Sequence, residues 1–93
     1  MTYTLITLPE VEENIKLHLK SGNKKLASKI VELLGELIEH PRSGTGKPEQ
    51  LKGFSDREIW SRRIDQKHRL VYQIKEQELI VVAISAFGHY GDK

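Results

Sequence analysis

The chain contains no cysteine, which excludes disulfide staples, thiolate metal sites and cysteine nucleophiles. It has no apolar run approaching the ~20 residues of a membrane span. Residues 1–9 lack the basic segment and long apolar stretch of a signal peptide, so a cytoplasmic location is expected. His18, His40, His68 and His89 show no His-x-x-x-His spacing, and the carboxylates form no EF-hand pattern, so no metal and no other cofactor is expected. There is no Gly-x-Ser-x-Gly elbow for a serine nucleophile. Internal repeats, low-complexity tracts and a linker to a second domain are also missing.

What remains is a 93-residue chain with 38% hydrophobic and 30% charged residues, the profile of one soluble globular domain over residues 1–93. Its net charge is only +2, but the charge is unevenly spread. Residues 1–41 carry five Lys/Arg and six Asp/Glu, whereas residues 42–69 carry eight and four. The basic middle of the chain favours a polyanion or an acidic partner through Coulomb attraction and counterion release.

The three prolines act as punctuation. Residues 2–8, Thr-Tyr-Thr-Leu-Ile-Thr-Leu, are β-branched and apolar enough for a strand that Pro9 ends. A helix comes next, with Glu10, Glu12 and Glu13 in the first turn, where the helix dipole favours negative charge, and Val11, Ile15 and Leu19 recurring every four residues. Ser21-Gly22 stops it. Asn23 caps a second helix over residues 24–39, whose apolar stripe is Leu26, Ile30, Val31, Leu34, Leu37 and Ile38, and His40-Pro41 ends that one. His18 and His40 read as helix-surface and helix-end residues.

Beyond residue 57 the period changes from about four to about two. Residues 58–65, 68–75 and 78–87 read as strands joined by turns short enough only for antiparallel hairpins. The fold class is therefore α+β, in the order β-α-α-β-β-β, with two N-terminal helices covering one face of a mainly antiparallel sheet and the other face partly open. In the second of these strands Leu70, Tyr72 and Ile74 share one side and Arg69, Val71 and Gln73 the other, which sets Arg69 opposite the apolar face. Trp60, on an alternating strand, reads as core rather than as a base-stacking platform.

Between helix and strands lies Ser-Gly-Thr-Gly-Lys-Pro-Glu-Gln-Leu-Lys-Gly, residues 43–53. It is not a nucleotide loop: the positions that need glycine and a hydroxyl are Pro41 and Pro48, and Pro48 removes an N–H that such a loop would point at phosphate. Gly44 and Gly46 let the chain turn sharply, Pro48 stiffens the stretch beyond it, and the product is a presented Glu49 with Lys47 at its edge. The other catalytic residue types are Arg62 and Arg63 in one strand, His68 and Arg69 opening the next, and His89-Tyr90 after the last. Neighbouring strands lie about 5 Å apart, so these side chains can meet on one face.

Cleaving RNA without a metal requires a base for the 2′-OH proton, cations for the pentacovalent phosphate and an acid for the leaving 5′-oxygen. Glu, Arg and His are the types this needs. The acid-base histidine candidates are His89 first and His68 second, and Tyr90 can stack on a base or orient a phosphate.

The series Gly-Lys-Pro-Glu-Gln-Leu, Trp-Ser-Arg-Arg-Ile, His-Arg-Leu-Val-Tyr and a closing His-Tyr resembles the Txe/YoeB family of type II toxin–antitoxin toxins, across residues 44–90. The resemblance implies a RelE-like, microbial-RNase-like fold and a ribosome-dependent endoribonuclease, an mRNA interferase that cuts mRNA in the ribosomal A site. It implies Glu49 as general base, Arg69 as transition-state stabiliser and His89 as general acid. Tyr90 would position the substrate, and Lys52, Arg62 and Arg63 would bind phosphate or orient the site. Implied partners are an inhibitory antitoxin encoded by the adjacent gene, the 70S ribosome and mRNA, with a second copy of the chain a further candidate. Two other readings stay open: a toxin on the same scaffold that occludes a protein target such as gyrase, and a basic RNA-binding domain without turnover.

Overall fold

A computed structural model describes residues 2–88. Strand β1 (Thr4–Thr7) leads into helix α1 (Pro9–Lys20), then helix α2 (Lys24–Glu39), a two-residue strand β2 (Glu49–Gln50), and strands β3 (Glu58–Arg63), β4 (Arg69–Lys75) and β5 (Ile80–Ser85). The five strands form one sheet in the order β1-β5-β4-β3-β2. β1 runs parallel to β5, and the other pairs are antiparallel.

Local chemistry accounts for the helix limits. α1 starts at Pro9, whose fixed φ and missing N–H suit a first helical position, with Glu10 and Glu12 in the first turn. Asn23 caps α2 by accepting the backbone N–H of Leu26 at 3.2 Å. Leu26, Ile30, Leu33, Leu34 and Leu37 of α2 pack with Val11 of α1 onto Leu70, Tyr72, Ile74, Val81 and Ala83 of the sheet. Trp60 is half-buried against this core, and its indole N–H donates to Glu58 at 2.8 Å.

Four expectations need correction. Leu19 does not continue the Val11–Ile15 stripe of α1 into the core; it is 49% exposed. Val31 does not join the apolar stripe of α2; it is 59% exposed, and Leu33 takes its place in the core. Position 33 lies on the Ile30–Leu34–Leu37 side of the helix, whereas residue 31 is a full 100° round from Ile30. His18 is not a surface residue: it is 3% exposed, beneath the end of β5. The residues after Pro48 are not only loop, because Glu49 and Gln50 pair with Ser61 and Trp60 as an edge strand. Two residues are too few to show an alternation in sequence, so the pairing with β3 defines this strand.

Candidate active site

Strand register sorts the candidate residues by face. Across β3 and β4 the pairs are Arg62 with Leu70, Trp60 with Tyr72, Ser61 with Val71 and Arg63 with Arg69. Leu70 and Tyr72 belong to the helix-covered core, so Arg62 and Trp60 face the helices, while Ser61, Arg63 and Arg69 face the open side. Glu49 pairs with Ser61 and joins that open side.

On the open face, an Arg69 Nη1 stands 3.9 Å from Glu49 Oε1 and 3.5 Å from the Ser61 hydroxyl. Both distances are long for a charge-assisted hydrogen bond. The half-buried Arg69 guanidinium is thus aimed along the sheet surface without being saturated by these two partners. Arg63 is directly opposite Arg69, and like charges in opposed sheet positions destabilise the pairing. An anion between them relieves that repulsion. A carboxylate and two guanidinium groups therefore share one side of the sheet, with the fully buried Ser61 beneath them.

Glu49 is delivered there by the loop between α2 and β2, and Arg62 holds that loop. Its side chain is 0% exposed, and each of its five N–H groups meets an acceptor. Nε donates to the Tyr72 hydroxyl at 3.1 Å, Nη1 to Glu36 at 2.7 Å and to the Thr45 carbonyl at 3.2 Å, and Nη2 to the Ser43 carbonyl at 2.8 Å and to the His40 carbonyl. The Tyr72 hydroxyl in turn donates to the Pro41 carbonyl at 2.7 Å. Glu36 also accepts the Thr45 N–H at 2.9 Å. Its carboxyl is held below the ordinary range first by hydrogen bonds from Thr45 and then by Arg62.

The glycines make this packing feasible. At Gly46, with φ +88°, a Cβ would lie 2.8 Å from the Arg63 carbonyl oxygen; at Gly44, with φ +117°, it would lie 2.5 Å from a Glu36 oxygen. Gly46 also accepts the Arg63 N–H at 2.7 Å. Lys47 comes next in the left-handed region at φ 52°, a conformation uncommon outside glycine. The chain turns there and enters β2 at Glu49.

A second guanidinium closes the other side of the loop. Arg42 donates to Glu58 at 2.7 and 3.0 Å and to Glu76 at 2.9 Å. Tyr3 joins through its hydroxyl, 2.6 Å from Glu76. Glu58 is held below the usual carboxylate range, chiefly by Arg42, and Arg42 is raised chiefly by Glu58.

The expected residues are therefore distributed unequally. Glu49, Arg63 and Arg69 come together on the open face. Lys47 is exposed just before β2, and Lys52 is exposed in the turn beyond it. Arg62, expected to bind phosphate or orient the site, has its five donors engaged with protein acceptors behind the sheet, which leaves it the second of these roles. His68, expected to touch substrate, uses its Nδ1 to accept the backbone N–H of Gly88 at 2.8 Å. His89 and Tyr90 lie outside the described residues. Ser61 was missed by sequence reasoning; its signal was the alternation of Trp-Ser-Arg-Arg, which puts a hydroxyl on the side opposite Trp60.

Among the described residues no group of three or more His, Asp or Glu side chains converges as a metal site. None of their helices is long and apolar enough to cross a membrane.

The profile of the YoeB-like toxin of bacterial type II toxin-antitoxin system matches residues 12–90. Toxin YoeB of Mycobacterium bovis is 44% identical over 70 residues, which span 75% of this chain and 79% of the relative. Among solved structures, the YoeB/ParE toxin from Agrobacterium tumefaciens superposes with a TM-score of 0.80 at 29% identity, over 94% of this chain and 99% of that one. The heterotetrameric complex of YoeB-YefM toxin-antitoxin from Staphylococcus aureus contains a chain that matches at TM-score 0.72 and 32% identity, over 97% of this chain and 100% of that one. The shared profile, the sequence identity and the shared fold place this chain in the family of YoeB-like toxins of bacterial type II toxin–antitoxin systems.

Proposed function

We propose that this toxin is a ribosome-dependent endoribonuclease that cuts mRNA in the A site, with catalysis by side chains rather than by a metal. The observation that carries the reading is the open face itself, where Glu49 and Arg69 stand 3.9 Å apart and Arg63 opposes Arg69. A phosphodiester laid against the two guanidinium groups has its charge matched. Glu49 takes the proton of the 2′-OH, a bond forms from O2′ to phosphorus, and the bond from phosphorus to O5′ breaks. His89 gives a proton to the departing O5′, leaving a 2′,3′-cyclic phosphate and a 5′-OH end. Arg69 meets the charge that develops on the phosphoryl oxygens. Lys47, Lys52 and Arg63 hold the flanking backbone, and Tyr90 positions the substrate.

The same reading supplies the surroundings: ribosome and mRNA in the cytoplasm, and an antitoxin whose acidic or amphipathic segment lies over the open face. Such a segment gains charge complementarity and orders as it binds. The S. aureus relative is part of a YoeB-YefM toxin-antitoxin complex, which supports an antitoxin partner here.

The test is induction in growing cells and then sequencing of mRNA 5′ ends. Codon-phased cuts are expected with the native toxin and are lost with Glu49→Ala, Arg69→Ala or His89→Ala. DNA damage without such cuts would instead assign the toxin to a gyrase-type protein target. Full toxicity in all three variants would overturn the residue assignments.

A further inference from the structure

The core-facing side of helix α1 carries two polar residues beside its apolar ones. The helix turns Asn14 and His18, 7% and 3% exposed, toward the protein interior and leaves Leu17 and Leu19, each 49% exposed, outside. The inward face also carries Val11 and Ile15, which pack in the core, and the two polar groups buried beside them would cost stability unless hydrogen-bonded. Both polar groups are bonded, and both to the same residue. Asn14 Oδ1 accepts the Ala86 N–H at 2.8 Å, and His18 Nε2 lies 3.1 Å from the Ala86 carbonyl oxygen.

The hold extends along the chain. His68 Nδ1 accepts the Gly88 N–H at 2.8 Å, and the Arg69 N–H donates to the Gly88 carbonyl at 3.0 Å. The His18 and His68 rings meet edge to face at 4.7 Å, and Phe87 packs on them at centroid distances of 5.2 and 4.7 Å. Strand β5 has already ended at Ser85, so sheet pairing no longer fixes this segment. Residues from α1 and the start of β4 fix it instead, and Gly88 is bonded to the backbone of Arg69 itself.

We infer that Asn14, His18 and His68 are positioning residues that clamp residues 86–88 and so set the point from which the chain continues to His89. Gly88, the residue that precedes His89 in sequence, is thereby tied to both His68 and the backbone of Arg69. The inference rests on the proposed role of His89 as general acid. The three side chains touch no substrate; they act through the backbone they hold. The geometry also assigns the tautomer of His68. An Nδ1 that accepts an N–H carries no proton, so the ring proton is on Nε2.

The test uses single-turnover cleavage of mRNA on programmed ribosomes, ribosome affinity, and hydrogen exchange at the Ala86 and Gly88 amides. His68→Leu removes the acceptor, whereas His68→Asn keeps an oxygen near the position of Nδ1. His68→Leu is expected to cleave about 10²-fold more slowly, the scale of a 1 Å misplacement. Its ribosome affinity should be unchanged, its Gly88 amide should exchange faster, and its core amides at Tyr72 and Val81 should stay protected. His68→Asn should recover most of the rate. His18→Gln, which retains a donor near Nε2, should likewise stay close to wild type, while His18→Leu slows. If His89→Ala is inactive and both leucine variants cleave at the native rate, the clamp has no positioning role and the inference is overturned. If His89→Ala cleaves at the native rate, the acid assignment itself fails, and the clamp loses its catalytic purpose with it.

Discussion

The two faces of the sheet treat the same side chain in opposite ways. Arg62 and Arg69 are both arginines on adjacent strands, one pointing to the helices and the other to the open side. Arg62 has no exposed side-chain surface and five protein acceptors. Arg69 is partly exposed and has two long contacts, to Ser61 and Glu49. A guanidinium whose donors are all engaged within the protein organises its own chain, while one left under-engaged on a surface can organise a ligand. The covered face therefore builds the loop, and the open face uses what the loop presents.

The largest effects that would test this division are on turnover. Glu49→Ala is expected to lower single-turnover cleavage by about 10²–10⁴-fold, the usual contribution of a positioned base. Thermal stability should hardly change, since its exposed pairing with Arg69 belongs to the class of surface ion pairs worth little. Arg69→Ala should lower cleavage by about 10²–10³-fold. A large fall in melting temperature with either variant would break the distinction between the faces.

Arg62→Ala should show the converse pattern. Removing one partner of a buried, hydrogen-bonded ion pair costs about 3–5 kcal/mol, and here several carbonyl oxygens are left unpaired as well. Arg62→Lys should rescue little, because an ammonium cannot reproduce a five-donor fork. Urea unfolding measures both. Arg63→Ala, one residue along and on the other face, should leave stability within about 0.5 kcal/mol and instead flatten the salt dependence of RNA affinity.

Gly46→Ala tests the join between the faces. An L-residue in the left-handed region costs about 1–2 kcal/mol, and the added Cβ would press on the Arg63 carbonyl at 2.8 Å. Loss of stability with a lower cleavage rate is expected, because the same turn leads to Glu49.

The smallest effects concern pH. Glu36 and Glu58 are held below their ordinary range by hydrogen bonds led by Thr45 and Arg42 respectively. Asp65 is also lowered: burial opposes this, but the Lys67 and His68 N–H groups outweigh it. A carboxyl group depressed on folding stabilises the native state above its unfolded pKa, about 4, and that contribution is lost as pH falls through the folded value. Urea midpoints should therefore decline as the solution is acidified below that range. Glu58→Gln should start lower and show a shallower decline, and an unchanged slope would remove Glu58 from the network.

Much of this was legible in sequence because it depends on periodicity and punctuation. The limits of α1 and α2 were set by Pro9, Ser21-Gly22, Asn23 and His40-Pro41. The alternation around Arg69 revealed its face, because successive side chains in a strand point opposite ways. Arg62 and Arg63 could not be assigned in the same way. They are adjacent, charged and equally suited to phosphate, and only the strand register shows that Arg62 is opposite Leu70 and Arg63 opposite Arg69. His18 was misread for a related reason: its burial is decided by a backbone carbonyl 68 residues away, which no local pattern contains.

By itself the sequence determined the order of the two helices and the four longer strands, the basic middle of the chain, the glycine turn leading to Glu49 and the side of β4 on which Arg69 stands. Each arises from interactions between residues a few positions apart. The tertiary structure decided which arginine is structural, brought Glu49 beside Arg69 as part of an edge strand, and turned Asn14 and His18 inward onto Ala86. Those outcomes depend on hydrogen-bond partners distant in the chain, and a buried guanidinium or imidazole is tolerated only where folding supplies them.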